Sequence, residues 1–70
     1  MRYIACRSID GRDLFGLPVV DGLEVLGLIE APHFCAAASV AARIGDDVGV
    51  MPYGAGTVSQ QRAANRIPLT

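Results

Sequence analysis

Two Asp-Gly pairs, Asp10-Gly11 and Asp21-Gly22, constrain the fold of this sequence more than any other feature. Each pair lies between apolar runs. A two-residue hairpin turn needs positive φ at both central positions, and Asp and Gly favour that conformation. The two turns therefore predict three antiparallel strands in a meander. In the register that the turns impose, one face of the meander collects the core side chains Ile4, Cys6, Phe15, Leu17, Leu26 and Leu28.

The second and third strands each carry one complication. Pro18 cannot donate to a central ladder, so we expect a bulge or an early end to pairing near it. Residues 23–30 also fit a helical period, and this alternative stays open. The strand is favoured because the registers of both turns place Leu26 and Leu28 on the same face as the rest of the core.

An alanine-rich segment from Pro32 to Ile44 predicts the main helix. Proline is favoured at the first helical position, alanine is the best helix former, and Gly45 is suited to end the helix. Small alanine side chains let such a helix lie close on a sheet. The apolar stripe of this helix consists of Phe34, Ala37, Val40, Ala41 and Ile44.

The last third of the chain predicts one short strand and one short helix. Residues 48–53 form the strand, and Pro52 makes it an edge strand or ends it. Thr57 and Gln60 have the spacing of a capping box, which starts a helix that runs to Asn65. The whole chain, residues 1–70, is then a single α+β domain: a small antiparallel β-meander of three to four strands packed on one Ala-rich helix, with a short C-terminal helix.

Composition excludes several classes of protein. The 70 residues have a net charge of -1 and are 51% hydrophobic, which is unlike a disordered chain. No segment has the length and apolarity of a membrane span or the pattern of a signal peptide, so we expect a cytoplasmic protein. About 60% of the surface of a chain this small is buried on folding, and such marginal domains are often stabilised by a partner or a second copy.

No motif in the sequence predicts catalysis, a cofactor or a metal site. Cys6 and Cys35 lie in apolar surroundings and are expected to be buried free thiols. Together with His33 they offer three zinc ligands at most, whereas a structural zinc site needs four. His33 has no nucleophile fixed beside it for general-base work. We therefore expect a protein that is not an enzyme.

The second face of the predicted meander carries apolar side chains that the main helix cannot reach. Only one helix of useful length is predicted, and it covers one face. An uncovered apolar patch usually marks an interaction surface. The alternative is that the C-terminal helix or strand twisting hides this face within the monomer. The side chains on this face are Tyr3, Leu14, Val20, Leu23, Val25 and Ile29.

The segment Gly56–Arg66 resembles the recognition helix of phage-repressor helix-turn-helix proteins, and Val40–Gly45 resembles the end of their first helix. This resemblance implies DNA binding, with Gln60, Gln61 and Arg62 reading base edges. Residues 46–56 separate Gly45 from Thr57 here, in place of the short turn of that family. A pI near 5.6 also argues against a nucleic-acid binder, so nucleic acid is not the expected partner.

In size, α+β layout and lysine-free composition, the whole chain resembles phage and mobile-element inhibitors of the anti-CRISPR type. The resemblance implies a non-enzymatic module that binds a CRISPR surveillance complex or nuclease and acts by steric occlusion. A structural homodimer is the third hypothesis, beside the inhibitor and the DNA-binding regulator. The predicted partner-binding residues are Tyr3, Leu14, Val25, Ile29, Arg62 and Arg66.

Overall fold

The computed structural model describes residues 1–9 and 19–70. They form a four-stranded antiparallel sheet and two helices, which confirms the predicted α+β class. Among the described residues, no helix has the length and apolarity needed to cross a bilayer. In chain order the elements are β1 (Arg2–Ser8), β2 (Val19–Val20), β3 (Leu23–Glu30), α1 (Phe34–Ile44), β4 (Val48–Pro52), a 3-10 turn (Tyr53–Ala55) and α2 (Val58–Asn65).

The order of the strands differs from a sequential meander. The sheet runs β2-β3-β1-β4, so β1 is a central strand between two strands that come much later in the chain. Arg2 lies opposite Glu30 on β3, and Tyr3 lies opposite Pro52 on β4. Because β3 and β4 occupy both edges of β1, β2 pairs with β3 instead. The predicted Asp10-Gly11 turn and the predictions for Phe15, Leu17 and Pro18 lie outside the described residues.

The hairpin between β2 and β3 is confirmed. Val20 pairs with Leu23, and the two residues between them have positive φ, 51° at Asp21 and 84° at Gly22. Positive φ at both positions matches the twist of the strands that the turn joins. The strand assignment for residues 23–30 is also confirmed, and it replaces the helical alternative.

A β-bulge in β3 decides which side chains share a face of the sheet. Ala5 pairs with Gly27 and the next residue, Cys6, pairs with Val25, so Leu26 is an extra residue in β3. Side chains alternate between the two faces of a sheet, so one extra residue moves every side chain before the bulge to the opposite face. Val25 and Ile29 are predicted on one face, but the structure places them in two different apolar clusters.

Both faces of the sheet are covered within the single chain. Helix α1 packs on the face that carries Tyr3 and Ile29, and α2 packs on the face that carries Ile4 and Val25. Each of these four side chains is at most 3% exposed. The expectation that Tyr3, Val25 and Ile29 form an exposed partner-binding face is therefore wrong. The short C-terminal helix is sufficient to cover the second face, where Ala64 is fully buried against Ile4 and Val25.

Helix α1 starts later than predicted and ends where predicted. Its N-cap is His33, whose ring Nδ1 accepts a hydrogen bond from the Ala36 amide at 3.2 Å, so Pro32 lies before the helix. Gly45 is the C-cap and donates its N–H to the Ala41 carbonyl. Within the predicted apolar stripe the two alanines are buried, whereas Phe34 and Ile44 at the helix ends are more than one-third exposed. The helix ends extend past the apolar side chains of the sheet.

Helix α2 begins at the predicted capping box. The Thr57 hydroxyl accepts from the Gln60 amide at 3.1 Å, and the Gln60 side-chain carbonyl accepts from the Thr57 amide at 2.9 Å. The Thr57 hydroxyl also donates to the Asp21 carboxylate, which ties the start of α2 to the β2–β3 turn. The Gln60 side-chain nitrogen, Nε2, donates to the Val20 carbonyl at 3.1 Å. Helix α2 is thus fixed over the sheet by polar contacts as well as by its alanines.

Replacing Thr57 by alanine is expected to lower the free energy of unfolding by about 1 kcal/mol, because the Gln60 amide loses its capping acceptor. Urea denaturation followed by far-UV circular dichroism measures the change. Thr57→Ser is the control, since serine keeps the hydroxyl and should stay within about 0.5 kcal/mol of the parent. Equal losses in the two variants would contradict the capping role.

A buried ionic cluster lies at the end of the sheet opposite the start of β1. Arg7 and Glu24 face each other across β1 and β3, with Arg7 Nε 3.9 Å from Glu24 Oε1. A second guanidinium nitrogen of Arg7 forms an ion pair with Asp47, just before β4. Arg7 is 7% exposed and Glu24 is fully buried. One arginine therefore links β3 to the turn that precedes β4.

Candidate interaction surface

Among the described residues, two predicted partner-binding residues are exposed: Arg62 in the last turn of α2 and Arg66, the C-cap of that helix. Arg62 and Arg66 are four residues apart, so they are neighbours on the side of the helix that faces away from the sheet. Gln60 and Ala64 occupy the buried side. Leu14, the sixth predicted partner-binding residue, lies outside the described residues.

An aromatic ring and a third arginine adjoin this side of α2. The Asn65 side-chain amide donates to the Tyr53 hydroxyl at 2.8 Å, and the Arg2 guanidinium lies over the Tyr53 ring, 6.0 Å from its centroid. Tyr53 also accepts at its backbone carbonyl from the Gln61 side chain, which fixes the ring-bearing turn to the helix. We call the surface formed by Arg2, Tyr53, Arg62, Asn65 and Arg66 the arginine face.

The arginine face carries positive charge that the described part of the molecule leaves unneutralised. Among residues 1–9 and 19–70, the only arginine with a carboxylate within 4.0 Å is Arg7, at the far end of the sheet. Glu30 lies opposite Arg2 in the strand register but forms no ion pair with it. Among these residues, three guanidinium groups are therefore exposed with no carboxylate within 4.0 Å.

Two side chains predicted to read base edges are engaged inside the protein. Gln60 is 4% exposed and bonds to the Val20 carbonyl and to the capping box. Gln61 donates to the carbonyls of Tyr53 and Gly56. Helices α1 and α2 pack on opposite faces of the sheet, with β4 and the 3-10 turn between them in the chain. This arrangement is not a helix-turn-helix.

An apolar patch lies on the opposite face from the arginine face. Phe34 packs edge-on against Tyr3, with ring centroids 6.1 Å apart, and the Tyr3 hydroxyl contacts the Met1 sulfur. Met1 and Phe34 are more than half exposed, whereas Tyr3 beneath them is buried. This patch is small, because it consists of two side chains at the start of β1 and the start of α1.

The cysteines and the histidine do not form a site together. Cys35 is exposed, so the expectation that both thiols are buried is wrong for it. Cys6 is partly buried, and burial raises the pKa of its thiol. His33 uses Nδ1 as the cap of α1. Within the described ranges there is no cluster of three or more metal-ligating side chains and no pocket.

Sequence reasoning missed three members of the arginine face, namely Arg2, Tyr53 and Asn65. Arg2 and Tyr53 are brought together because β1 pairs with β4, and this pairing joins residues about 50 positions apart in the chain. No local periodicity links them. The exposure of Arg62 and Arg66, by contrast, follows from the helical spacing of α2.

Comparison of the chain with protein-family models, with curated proteins and with solved structures finds no match.

Proposed function

We propose that this protein is a non-enzymatic binding module that attaches to an acidic protein surface through its arginine face and inhibits the partner by steric occlusion. The observation that carries the proposal is the set of three exposed guanidinium groups, at Arg2, Arg62 and Arg66, which make no ion pair among the described residues. Tyr53 adds a ring that is already fixed by Asn65.

The chemistry of arginine suits this role. Its planar guanidinium donates two parallel hydrogen bonds to a carboxylate, and arginine and tyrosine are enriched among the residues that dominate binding energy in interfaces. All six basic residues of this chain are arginine. The folded ring-bearing turn and helix also hold part of the surface in place before binding, which reduces the entropy lost on association.

The intramolecular hydrogen bonds of Gln60 and Gln61 favour a protein partner over duplex DNA. Base reading needs side chains that are free to donate and accept in a groove, and Gln60 and Gln61 are used inside the fold. The net charge of -1 also provides little general attraction to a polyanion. The homodimer hypothesis loses its support as well, because the apolar sheet face on which it rested is covered.

The proposed partner is a host protein complex, and the anti-CRISPR resemblance makes a CRISPR surveillance complex or nuclease the first one to examine. We place the interaction in the bacterial cytoplasm. A chain of 70 residues that covers a substrate-binding surface is large enough to block access to it, because a standard interface buries about 800 Å² on each partner.

Charge reversal at Arg62 is expected to weaken the complex at least about tenfold, whereas reversal at Arg43 should leave it unchanged. The two arginines are matched, since each is exposed and lies in the last turn of its helix, Arg62 on the arginine face and Arg43 on α1. The immobilised chain is used to isolate a partner from bacterial lysate. Calorimetry then gives Kd for the purified partner with Arg62→Glu and Arg43→Glu.

Two results would contradict the proposal. One is an equal Kd for Arg62→Glu and Arg43→Glu. The other is salt-dependent retention of duplex DNA that Arg62→Glu abolishes, which would assign the arginine face to nucleic acid. Inhibition itself is tested by titrating the purified partner, whose activity should fall in proportion to the complex formed.

A further inference from the structure

The last four residues of the sequence, 67–70, form a short strap along the outer edge of β3. The Leu28 amide donates to the Ile67 carbonyl at 2.8 Å, and the Leu69 amide donates back to the Leu28 carbonyl at 2.8 Å. This pattern is a parallel β-bridge between Leu28 and Pro68. One step further along, the Thr70 hydroxyl accepts from the Glu30 amide and contacts the Glu30 carbonyl.

The edge of β3 is shaped to receive this strap. Gly27 has φ of +156°, and a Cβ atom at that position would lie 2.2 Å from the Ile67 carbonyl oxygen and 2.7 Å from the Leu69 side chain. Leu69 packs against the apolar cluster that α1 covers. The groove thus requires a glycine in its floor and accepts a leucine side chain beside it.

Few contacts hold the strap in place. Among the described residues, two backbone hydrogen bonds and the Thr70 hydroxyl attach it to β3, and Leu69 is its apolar contact with the core, whereas Pro68 and Thr70 are exposed. On the same edge, β2 covers only Leu23 and Glu24. If the strap leaves, the amides of Leu28 and Glu30 become an unpaired strand edge of the kind that extended peptides bind.

We infer that the edge of β3 is a strand-acceptor groove and that the strap is its exchangeable occupant. An extended segment of a partner protein takes the place of the strap when its four residues follow the same pattern. The first and third residues are apolar, the second is any residue such as proline, and the fourth is serine or threonine. Backbone hydrogen bonds from Leu28 and Glu30 provide the attachment. The leucine position beside Gly27 provides selectivity. This inference does not depend on the arginine face.

The first test is native-state hydrogen exchange of the full chain. The amides of Leu28 and Leu69 should exchange at least about tenfold faster than that of Ile4 on the central strand, because the strap opens without global unfolding. Equal exchange rates at these three amides would overturn the inference, since the strap would then open only when the whole protein unfolds.

The second test uses a fluorescein-labelled peptide with the sequence Arg-Ile-Pro-Leu-Thr and the full-length variant Leu69→Gly, in which the strap is weakened. This variant should bind the peptide at least about tenfold more tightly than the parent chain does, and a peptide with aspartate in place of leucine should not bind. Fluorescence anisotropy measures both. Adding Gly27→Ala to the variant should abolish binding, because the new Cβ occupies the groove.

Three outcomes would overturn the inference: a folded Leu69→Gly that does not bind the peptide, a Leu69→Gly that is unfolded, and a parent dimer that Leu69→Gly abolishes. The dimer would assign the groove to the strap of a second copy. Adding Arg62→Glu separates this inference from the proposed function, because that change should leave peptide binding intact.

Discussion

Replacing Gly27 by alanine is expected to lower the free energy of unfolding by about 3 kcal/mol. Two effects add at this position. The backbone has a positive φ that residues with a Cβ avoid, and the new Cβ would meet the Ile67 carbonyl oxygen at 2.2 Å. A backbone atom cannot turn aside as a side chain can, so either the bulge in β3 or residues 67–70 must shift.

Alanine substitutions at two other glycines separate the cost of the positive φ from the cost of the steric contact. Gly22 has φ of +84° with open space around it, so Gly22→Ala should cost only the strain, about 1 kcal/mol. Gly49 has no positive φ, and a Cβ there would meet only the Cys6 carbonyl oxygen at 4.0 Å, so Gly49→Ala should change stability by less than about 0.5 kcal/mol. Urea denaturation of the three variants should rank them in this order. A Gly27→Ala variant no less stable than Gly22→Ala would contradict the close approach of residues 67–70.

Replacing Arg7 by methionine is expected to lower the free energy of unfolding by about 3–5 kcal/mol. The guanidinium faces the carboxylates of Glu24 and Asp47, and Glu24 is fully buried. Methionine preserves apolar length but removes the cation, so the two carboxylates lose a positive charge that helps to offset their desolvation. The free energy of unfolding should therefore fall by more than it does when an exposed arginine is replaced.

Arg43→Met is the matched control for this cluster. Arg43 is exposed on α1, and its loss should change stability by about 0.5 kcal/mol or less. The double variant Arg7→Met with Glu24→Leu should be more stable than Arg7→Met alone, because the buried carboxylate is removed as well. Urea denaturation gives all three values. A double variant less stable than Arg7→Met would show that Glu24 stabilises the fold independently of Arg7.

Local signals predicted the elements that depend on neighbours in the chain. The Asp21-Gly22 turn, the capping box at Thr57 and the end of α1 at Gly45 each involve hydrogen bonds or dihedral angles within a few residues. The edge position of β4 follows from Pro52, which cannot donate to a ladder. These features were predictable because the residue types themselves set the geometry.

The faces of the sheet were not predictable in the same way. Alternation along β3 assigns Val25 and Ile29 to one face, and a single extra residue in the strand separates them. The one local signal for the extra residue Leu26 is Gly27, which follows it, since glycine within a strand often accompanies a bulge.

The coverage of the second sheet face by α2 was not predictable from the composition of the helix. Its alanines bury little area each, so the sequence left this coverage as the alternative to an exposed face. Ala64 nevertheless lies against Ile4 and Val25, and the polar contacts of Gln60 anchor the helix to the β2–β3 hairpin. For the arginine face, the helical spacing of Arg62 and Arg66 was sufficient, but Arg2 joins it only through the pairing of β1 with β4.

The central position of β1 has a consequence for biosynthesis. Strand β1 has its ladder partners at residues 23–30 and 48–52, so it leaves the ribosome before either of them. Ile4 and Ala5, which end up fully buried, stay accessible to water and to chaperones until β3 and β4 have been translated. Acquisition of the native sheet is therefore a late event, and its speed is limited by closing these two long loops.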